Sequence, residues 1–295
     1  MRFVIAGGSG FLGQALLNHL RGRGHTATVL TRRARTSDQV EWTPDGTAGP
    51  WAGALDGADA VVNLAGEGIA DARWTAAYKP ALRRSRVLST RSIVAAIRGA
   101  ATPPALLNAS GVGYYGDRGT DIVTEDTGAG PDFLADLCVE WEAEAEQAAS
   151  LTRVVRLRNG LVMHPSGGAL QRMLLPFRLG AGGRLGSGEQ YLSWIHLSDW
   201  LELVTWLSKT PEARGAFNVT APSPATNAEF TRALGRALKR PAFIPVPAFA
   251  LRLALGELAD TLLTSQRAVP ARATSMEFAF RFSEIEPALR DLLRR

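Results

Sequence analysis

The 295-residue chain contains one cysteine, Cys138, which excludes an internal disulfide framework. Its four histidines, His19, His25, His164 and His196, are widely scattered. With no second cysteine and no histidine pair at ligand spacing, no structural metal site is expected. No apolar run reaches the roughly 18 residues that a spanning helix needs. No secretory leader is read either, because Met1-Arg2 passes straight into Phe3-Val4-Ile5-Ala6 and then glycines. A cytoplasmic protein without a membrane partner is therefore expected. The 33 basic residues exceed the 28 acidic ones, a net charge of +5. The arginines fall in short groups (Arg32, Arg33, Arg35; Arg83, Arg84, Arg86; Arg294, Arg295) without interleaved aromatics, so nucleic acid is not an expected partner.

What is present is concentrated at the start. Phe3–Ala6 is a short apolar run suited to a strand buried on both faces. Gly7-Gly8-Ser9-Gly10-Phe11-Leu12-Gly13 follows at once, and Leu12, Leu16 and Leu20 then recur at helical spacing to about Gly22–Gly24. Thr26–Leu30 is a second, β-branched strand. A glycine turn between strand and helix lets the backbone approach a pyrophosphate and aims the helix N-terminus at it. Gly7, Ser9, Gly10, Phe11, Leu12 and Gly13 are thus cofactor candidates. An NAD site usually places an acid after the second strand to take the ribose hydroxyls. Here Thr31, Arg32 and Arg33 stand there, with no acid before Asp38. A guanidinium pairs well with a 2′-phosphate, which favours NADP(H).

Strand and helix continue to alternate. Ala58–Leu64 reads as a strand ending in Ala65-Gly66-Glu67-Gly68, a small-residue loop where open α/β sheets hold ligands. A helix is predicted over 82–98, a strand over Ala105–Ala109, an acidic helix over 132–149 and a strand over Thr152–Leu157. The fold class is α/β, a doubly wound parallel Rossmann sheet. Beyond about Asn159 the pattern loosens into a smaller, mainly helical C-terminal substrate domain. Thr226-Asn227-Ala228-Glu229 is a capping box, and Pro247 opens an apolar helix to about Leu263. The expected boundaries are 1–160 and about 195–220 for the NADP-binding domain, and about 161–194 and 221–295 for the substrate or lid domain.

With these motifs the chain resembles the short-chain dehydrogenase/reductase superfamily, in its extended, epimerase-like branch. The likeness rests on the glycine motif, Asn63-Leu64-Ala65-Gly66, Ser110…Tyr115-Gly116 and Ser193-Trp194-Ile195-His196…Asp199, and spans essentially the full length. More narrowly, residues 247–295 are similar to the C-terminal segment of an atypical group of epimerase-family proteins. Ordinary members carry a Tyr-x-x-x-Lys pair on the helix after the Ser-bearing strand, where the Lys tunes the Tyr as proton donor. In this sequence Leu134 and Cys138 occupy those two positions. Ser110 lies near the superfamily's serine, although counting back from Tyr115 places Gly111 in that slot, and Arg86 stands where the active-site Asn is usual.

The resemblance implies a nicotinamide enzyme with a non-standard proton donor. Catalytic candidates are Ser110, Tyr115, Cys138 and Arg86, with Tyr114 beside them. Leu64, Ala65, Gly66, Glu67 and Arg86 join the cofactor candidates. The expected function is an NADP(H)-dependent oxidoreductase acting on a small carbonyl or alcohol. Two alternatives stay open, a nucleotide-sugar epimerase/dehydratase and a non-catalytic NADPH-binding sensor or partner-binding protein. A homodimer is the assembly common in the superfamily.

Overall fold

The computed structural model describes residues 1–294. A seven-stranded sheet is built from β1 (Arg2–Ala6), β2 (Thr26–Thr31), β3 (Gln39–Glu41), β4 (Ala60–Asn63), β5 (Ala105–Gly111) and the strands Val154–Asn159 and Gly215–Val219. From one edge it runs β3, β2, β1, β4, β5, Val154–Asn159, Gly215–Val219. β1 pairs in parallel with β2 and β4, as do β2 with β3 and β4 with β5. The order reverses between β1 and β4, and the crevice outside the carboxyl ends of such strands is where doubly wound sheets bind ligands. The expected Rossmann-like class with a helical C-terminal region is what the chain adopts.

The chain divides into two compact units. The first comprises residues 1–110, 137–157 and 201–216. Phe3, Val4, Ile5 and Ala6 of β1 are buried, as a strand covered on both faces requires. Helix α1 (Phe11–Gly22) buries Leu16, Leu17 and Leu20, the stripe that the four-residue spacing predicts. Polar side chains hold the inner ends of the strands. Asn63 of β4 donates to Asn108 of β5 at 2.7 Å and to Thr90 at 2.9 Å, on helix α2 (Tyr78–Gly99). Trp141, on helix α3 (Phe133–Glu146), donates to the same Thr90 hydroxyl at 2.9 Å. All four side chains are buried, and buried polar groups are tolerated when paired in this way. The short strand β3 has no readable sequence period, because three residues cannot show one.

The second unit comprises residues 111–136, 158–200 and 217 onward. Its core gathers Phe177, Trp194, Phe230 and Leu289 from helices Gly168–Arg178, Asn227–Leu238 and Ile285–Leu293 and the strand Trp194–His196, with Phe282 from the segment before the last helix. The Thr226/Glu229 capping box forms in both directions. The single helix expected from Pro247 to Leu263 is instead two, Ala248–Leu255 and Leu258–Leu263. Gly256 breaks it by taking φ +63° and ψ −142°, a conformation that favours glycine and cannot continue a helix.

His196 is buried in this unit, stacked on Phe282 with centroids 4.1 Å apart. Its Nδ1 accepts from the Ser198 N–H at 3.0 Å, and its Nε2 lies 3.5 Å from the Asp291 carboxylate. Burial pulls its pKa from 6.5 down to about 4; Asp291 opposes the shift, while Arg281 and His164 add to it. The unfolded chain therefore takes up a proton that the folded ring refuses. The stability from this ring is present above pH 6.5 and is lost as pH falls from there towards about 4. His196→Gln is expected to flatten the acid-side decline of Tm across that window. An unchanged decline would assign the acid sensitivity to other groups.

Candidate cofactor cleft

Three glycines of the turn do three different things. Gly7 takes φ +78°, and a Cβ there would lie 2.6 Å from the backbone carbonyl of Leu64, so the strand ends of β1 and β4 meet through it. A Cβ on Gly13 would run into the Gly7 carbonyl and lie 2.6 Å from the Gly8 Cα, so α1 can approach the turn only without a side chain at that position. Gly10 differs, since a Cβ there meets only the Gly7 carbonyl, at 3.3 Å, and otherwise projects into space. It caps α1 with no side-chain hydrogen bond, and the first turn carries no acid. A helix start of this kind suits an anion.

Gly7, Ser9 and Gly10 open onto a cleft of about 970 Å³. Thr31, Arg32 and Arg33 line one part of it, and Leu64, Ala65, Gly66 and Glu67 another. Phe11, Leu12 and Gly13 form the first turn of α1 and are not among the lining residues. Arg32 and Arg33 are exposed. The acid that follows them, Asp38, is ion-paired with Arg21; hydrogen bonds from Thr36 and Arg21 hold its pKa low. The two carboxylates that do line the cleft, Glu67 and Asp71, both stand on the loop after β4. Arg35, Trp42, Ser85 and Ser89 also line the cleft and were not anticipated. Ser85 and Ser89 are four apart on α2, a same-face spacing that could have revealed them.

Arg86, read as both a cofactor and a catalytic candidate, is not among the residues lining the cleft. It is buried behind the β4 loop, donating to the carbonyl of Glu67 at 2.9 Å and that of Leu82 at 3.0 Å. Its guanidinium carbon lies 5.2 Å from the centre of the Trp141 ring. Burial draws its pKa down, with the neighbouring Cys138 opposing. In this position it braces the loop that carries Leu64–Gly68. Cys138 is also buried. Cys138→Ser is expected to leave NADPH affinity within about twofold, since a buried thiol acts chiefly as a small apolar filler. A tenfold loss measured by fluorescence titration would give the thiol a binding role.

Ser110 has a partner that the sequence did not reveal. Its hydroxyl donates to Glu142 Oε1 at 2.7 Å, and both groups are buried. Arg156 lies 3.6 Å from the other carboxylate oxygen. Glu142 is one turn beyond Cys138 on α3, so helical spacing from Leu134 and Cys138 leads to it. In the β4–β5 register Asn108 faces Asn63, which puts Ser110 two residues further towards the carboxyl edge.

Tyr115 belongs to the second unit and is fully buried there. Its hydroxyl donates to Asn218 Oδ1 at 2.6 Å and accepts from Arg158 at 3.0 Å. Burial pushes its pKa up to about 12, against the pull of Arg158. The Arg158 guanidinium also stacks 3.5 Å from the Tyr114 ring centre. Glu125 closes the cluster by accepting from the Asn218 N–H at 3.0 Å, and burial raises its pKa. Among the described residues no group of three or more His, Cys, Asp or Glu side chains could hold a metal ion. No helix among them is long and apolar enough to cross a membrane.

A doubly wound sheet with this glycine turn defines a dinucleotide-binding class. Residues 3–220 match the NAD dependent epimerase/dehydratase family, and residues 246–292 match a domain of unknown function. The chain belongs to the NAD dependent epimerase/dehydratase family, as the resemblance implied. An epimerase family protein of Mycobacterium bovis, Mb2239, is 45% identical over 290 residues, covering 97% of this chain and 95% of the relative. The crystal structure of human epimerase family protein SDR39U1 (isoform 2) with NADPH superposes with a TM-score of 0.93 at 37% identity, over 99% of both chains. A nucleoside-diphosphate sugar epimerase from Corynebacterium glutamicum gives a TM-score of 0.82 at 32% identity, over 99% of this chain and 58% of that one.

Proposed function

We propose that this protein is an NADP(H)-dependent oxidoreductase of the atypical short-chain dehydrogenase/reductase type, acting on a small carbonyl or alcohol. The observation that carries the reading is the cleft itself: a glycine turn at the start of α1, with Arg32, Arg33 and Arg35 at the end of β2 and no carboxylate lining that side. NADPH in the human relative supports the same cofactor here. The residues fit the group, because the Gly10 position leaves room for a pyrophosphate and the arginines suit a 2′-phosphate. Bound NADP(H) supplies or accepts hydride at its nicotinamide.

The chain must then handle the proton. Ser110 is the candidate with a proton path, because its hydroxyl already points at the Glu142 carboxylate. A substrate hydroxyl proton passing to Ser110 Oγ is matched by Ser110's own proton moving to Glu142, and carbonyl reduction runs the same transfer backwards. Tyr115, sealed between Asn218 and Arg158, has no comparable outlet within its unit.

Titration of the purified protein with NADPH and NADH, followed by NADPH oxidation against a panel of small aldehydes and ketones, tests the reading. Selective NADPH binding with turnover that Glu142→Gln removes is the expected result. Binding of neither nucleotide would overturn it. Stoichiometric NADPH binding without oxidation by any substrate would favour the sensor reading, for which the burial of Tyr115, Arg86 and Cys138 is the supporting observation. Cofactor that cycles on addition of a nucleotide sugar would favour the epimerase reading, which the C. glutamicum likeness supports.

A further inference from the structure

The second unit exposes large apolar side chains on two paired segments outside the cofactor cleft. Leu175, Leu179, Phe243, Phe249 and Leu253 are between 64% and 80% exposed. Leu175 and Leu179 are one turn apart, as are Phe249 and Leu253. The helix Ala248–Leu255 reads AFALRLAL, yet it buries only Leu251. A helix apolar on nearly every side is normally enclosed by protein or by lipid. The two segments that carry these side chains lie side by side. Ile244 donates to the Gly182 carbonyl at 3.3 Å, and Val246 to the Arg184 carbonyl at 2.8 Å.

The same two segments are strongly basic. Between Gly168 and Arg184, and between Phe230 and Gly256, the sequence has eight Lys or Arg residues and no Asp or Glu. That is more than the chain's whole surplus of +5, so the remainder is left with 25 basic against 28 acidic residues. Arg232, Arg236, Lys239 and Arg240 surround Phe243 in a groove of about 400 Å³, with no carboxylate among its lining residues. Some of the eight face acids outside the segments: Arg236 pairs with Glu286 at 2.6 Å, Arg252 pairs with Asp260 at 2.8 Å, and Arg232 stands near the Glu229 carboxylate.

We propose that this face docks on an anionic lipid surface, with Phe243, Phe249 and Leu253 entering the headgroup–acyl boundary and the flanking cations meeting the lipid phosphates. The combination selects the partner. Large apolar side chains rimmed by lysine and arginine are what the interface of an anionic bilayer accepts. A second copy of this chain would bring like charges face to face. A nucleic acid would satisfy the cations and leave the exposed leucines in water. Contact of this kind lies on the membrane and needs no spanning helix.

Co-sedimentation of the full chain with vesicles tests the proposal, using phosphatidylcholine alone and phosphatidylcholine mixed with phosphatidylglycerol. Partition onto the mixed vesicles is expected to exceed that onto phosphatidylcholine by at least about tenfold and to weaken with salt. Phe249→Ser with Leu253→Ser is expected to lower it by about tenfold or more. Arg232→Glu with Lys239→Glu and Arg240→Glu should lower it about a hundredfold, at roughly one tenfold step per one to two cations. All five positions avoid the cofactor cleft, so unchanged Tm and NADPH affinity confirm that the variants fold. Equal partition on both vesicle types, or variants that bind like the parent, would overturn the proposal. So would a solution dimer that the Phe249/Leu253 variant dissociates, because a second copy would then occupy the face.

Discussion

Replacing Arg32 and Arg33 together by alanine is expected to weaken NADPH binding by about a hundredfold while changing NADH binding by less than about threefold. Both side chains are exposed, line the cleft and follow β2 directly. A charge-assisted hydrogen bond to a phosphate contributes about 1.5–3 kcal/mol, which is roughly tenfold to a hundredfold in affinity. NADH lacks the 2′-phosphate and has nothing to lose at that end. Because the two arginines are solvent-exposed, the substitution leaves the core intact and Tm should move little. Isothermal titration with both nucleotides measures the difference. Equal losses would mean that the arginines act only through the general field of the cleft, and a cofactor other than NADP(H) would have to be sought.

The second large effect is expected from Gly7→Ala, and it should appear in stability as well as in binding. The added Cβ would sit 2.6 Å from the Leu64 carbonyl carbon and oxygen, and both contacts are backbone. Backbone atoms held in parallel strand pairing cannot turn aside as a flexible side chain can. The residue must also keep φ +78°, which costs a non-glycine residue about 1 kcal/mol before any overlap. Overpacking adds about 1–3 kcal/mol, so a total near 3 kcal/mol is expected. At this chain length that corresponds to a fall in Tm of about 5 °C. NADPH affinity should fall with it, because the turn that aims α1 at the cleft is displaced. Gly10→Ala is the matched control. Its Cβ meets one carbonyl at 3.3 Å and otherwise enters the cleft, so it should spare Tm and affect binding alone. If Gly7→Ala binds NADPH and melts like the parent, the close approach of β1 and β4 does not shape the site.

These two variants probe the half of the candidate site that was legible in the sequence. The glycine turn, the arginines after β2 and the small-residue loop after β4 all follow a strand within a few residues. Their chemistry is local, because a turn's φ angles and a helix N-terminus depend on residues three or four apart. Arg86 shows where that reading ended. Its position where the active-site Asn is usual suggested chemistry, and the spacing gave no sign that its guanidinium would donate to backbone carbonyls of the Glu67 loop and its own helix. A charged side chain on a helix can turn to solvent, ligand or backbone, and only the packing around it selects among them.

Length and motif order therefore determined the Rossmann sheet, the glycine turn between its first strand and helix, and the absence of the usual Tyr/Lys pair on α3, since each is written in short-range spacing. The tertiary structure alone decided what surrounds the candidate proton donors. Ser110 meets Glu142, 32 residues away, and Tyr115 meets Asn218, 103 residues away. It also decided that the apolar helix after Pro247 breaks at Gly256 and leaves Phe249 and Leu253 in solvent. The physical reason is the same in each case. Hydrophobic period states which residues can be buried, but which are buried, and against what, depends on elements brought together from far apart in the chain.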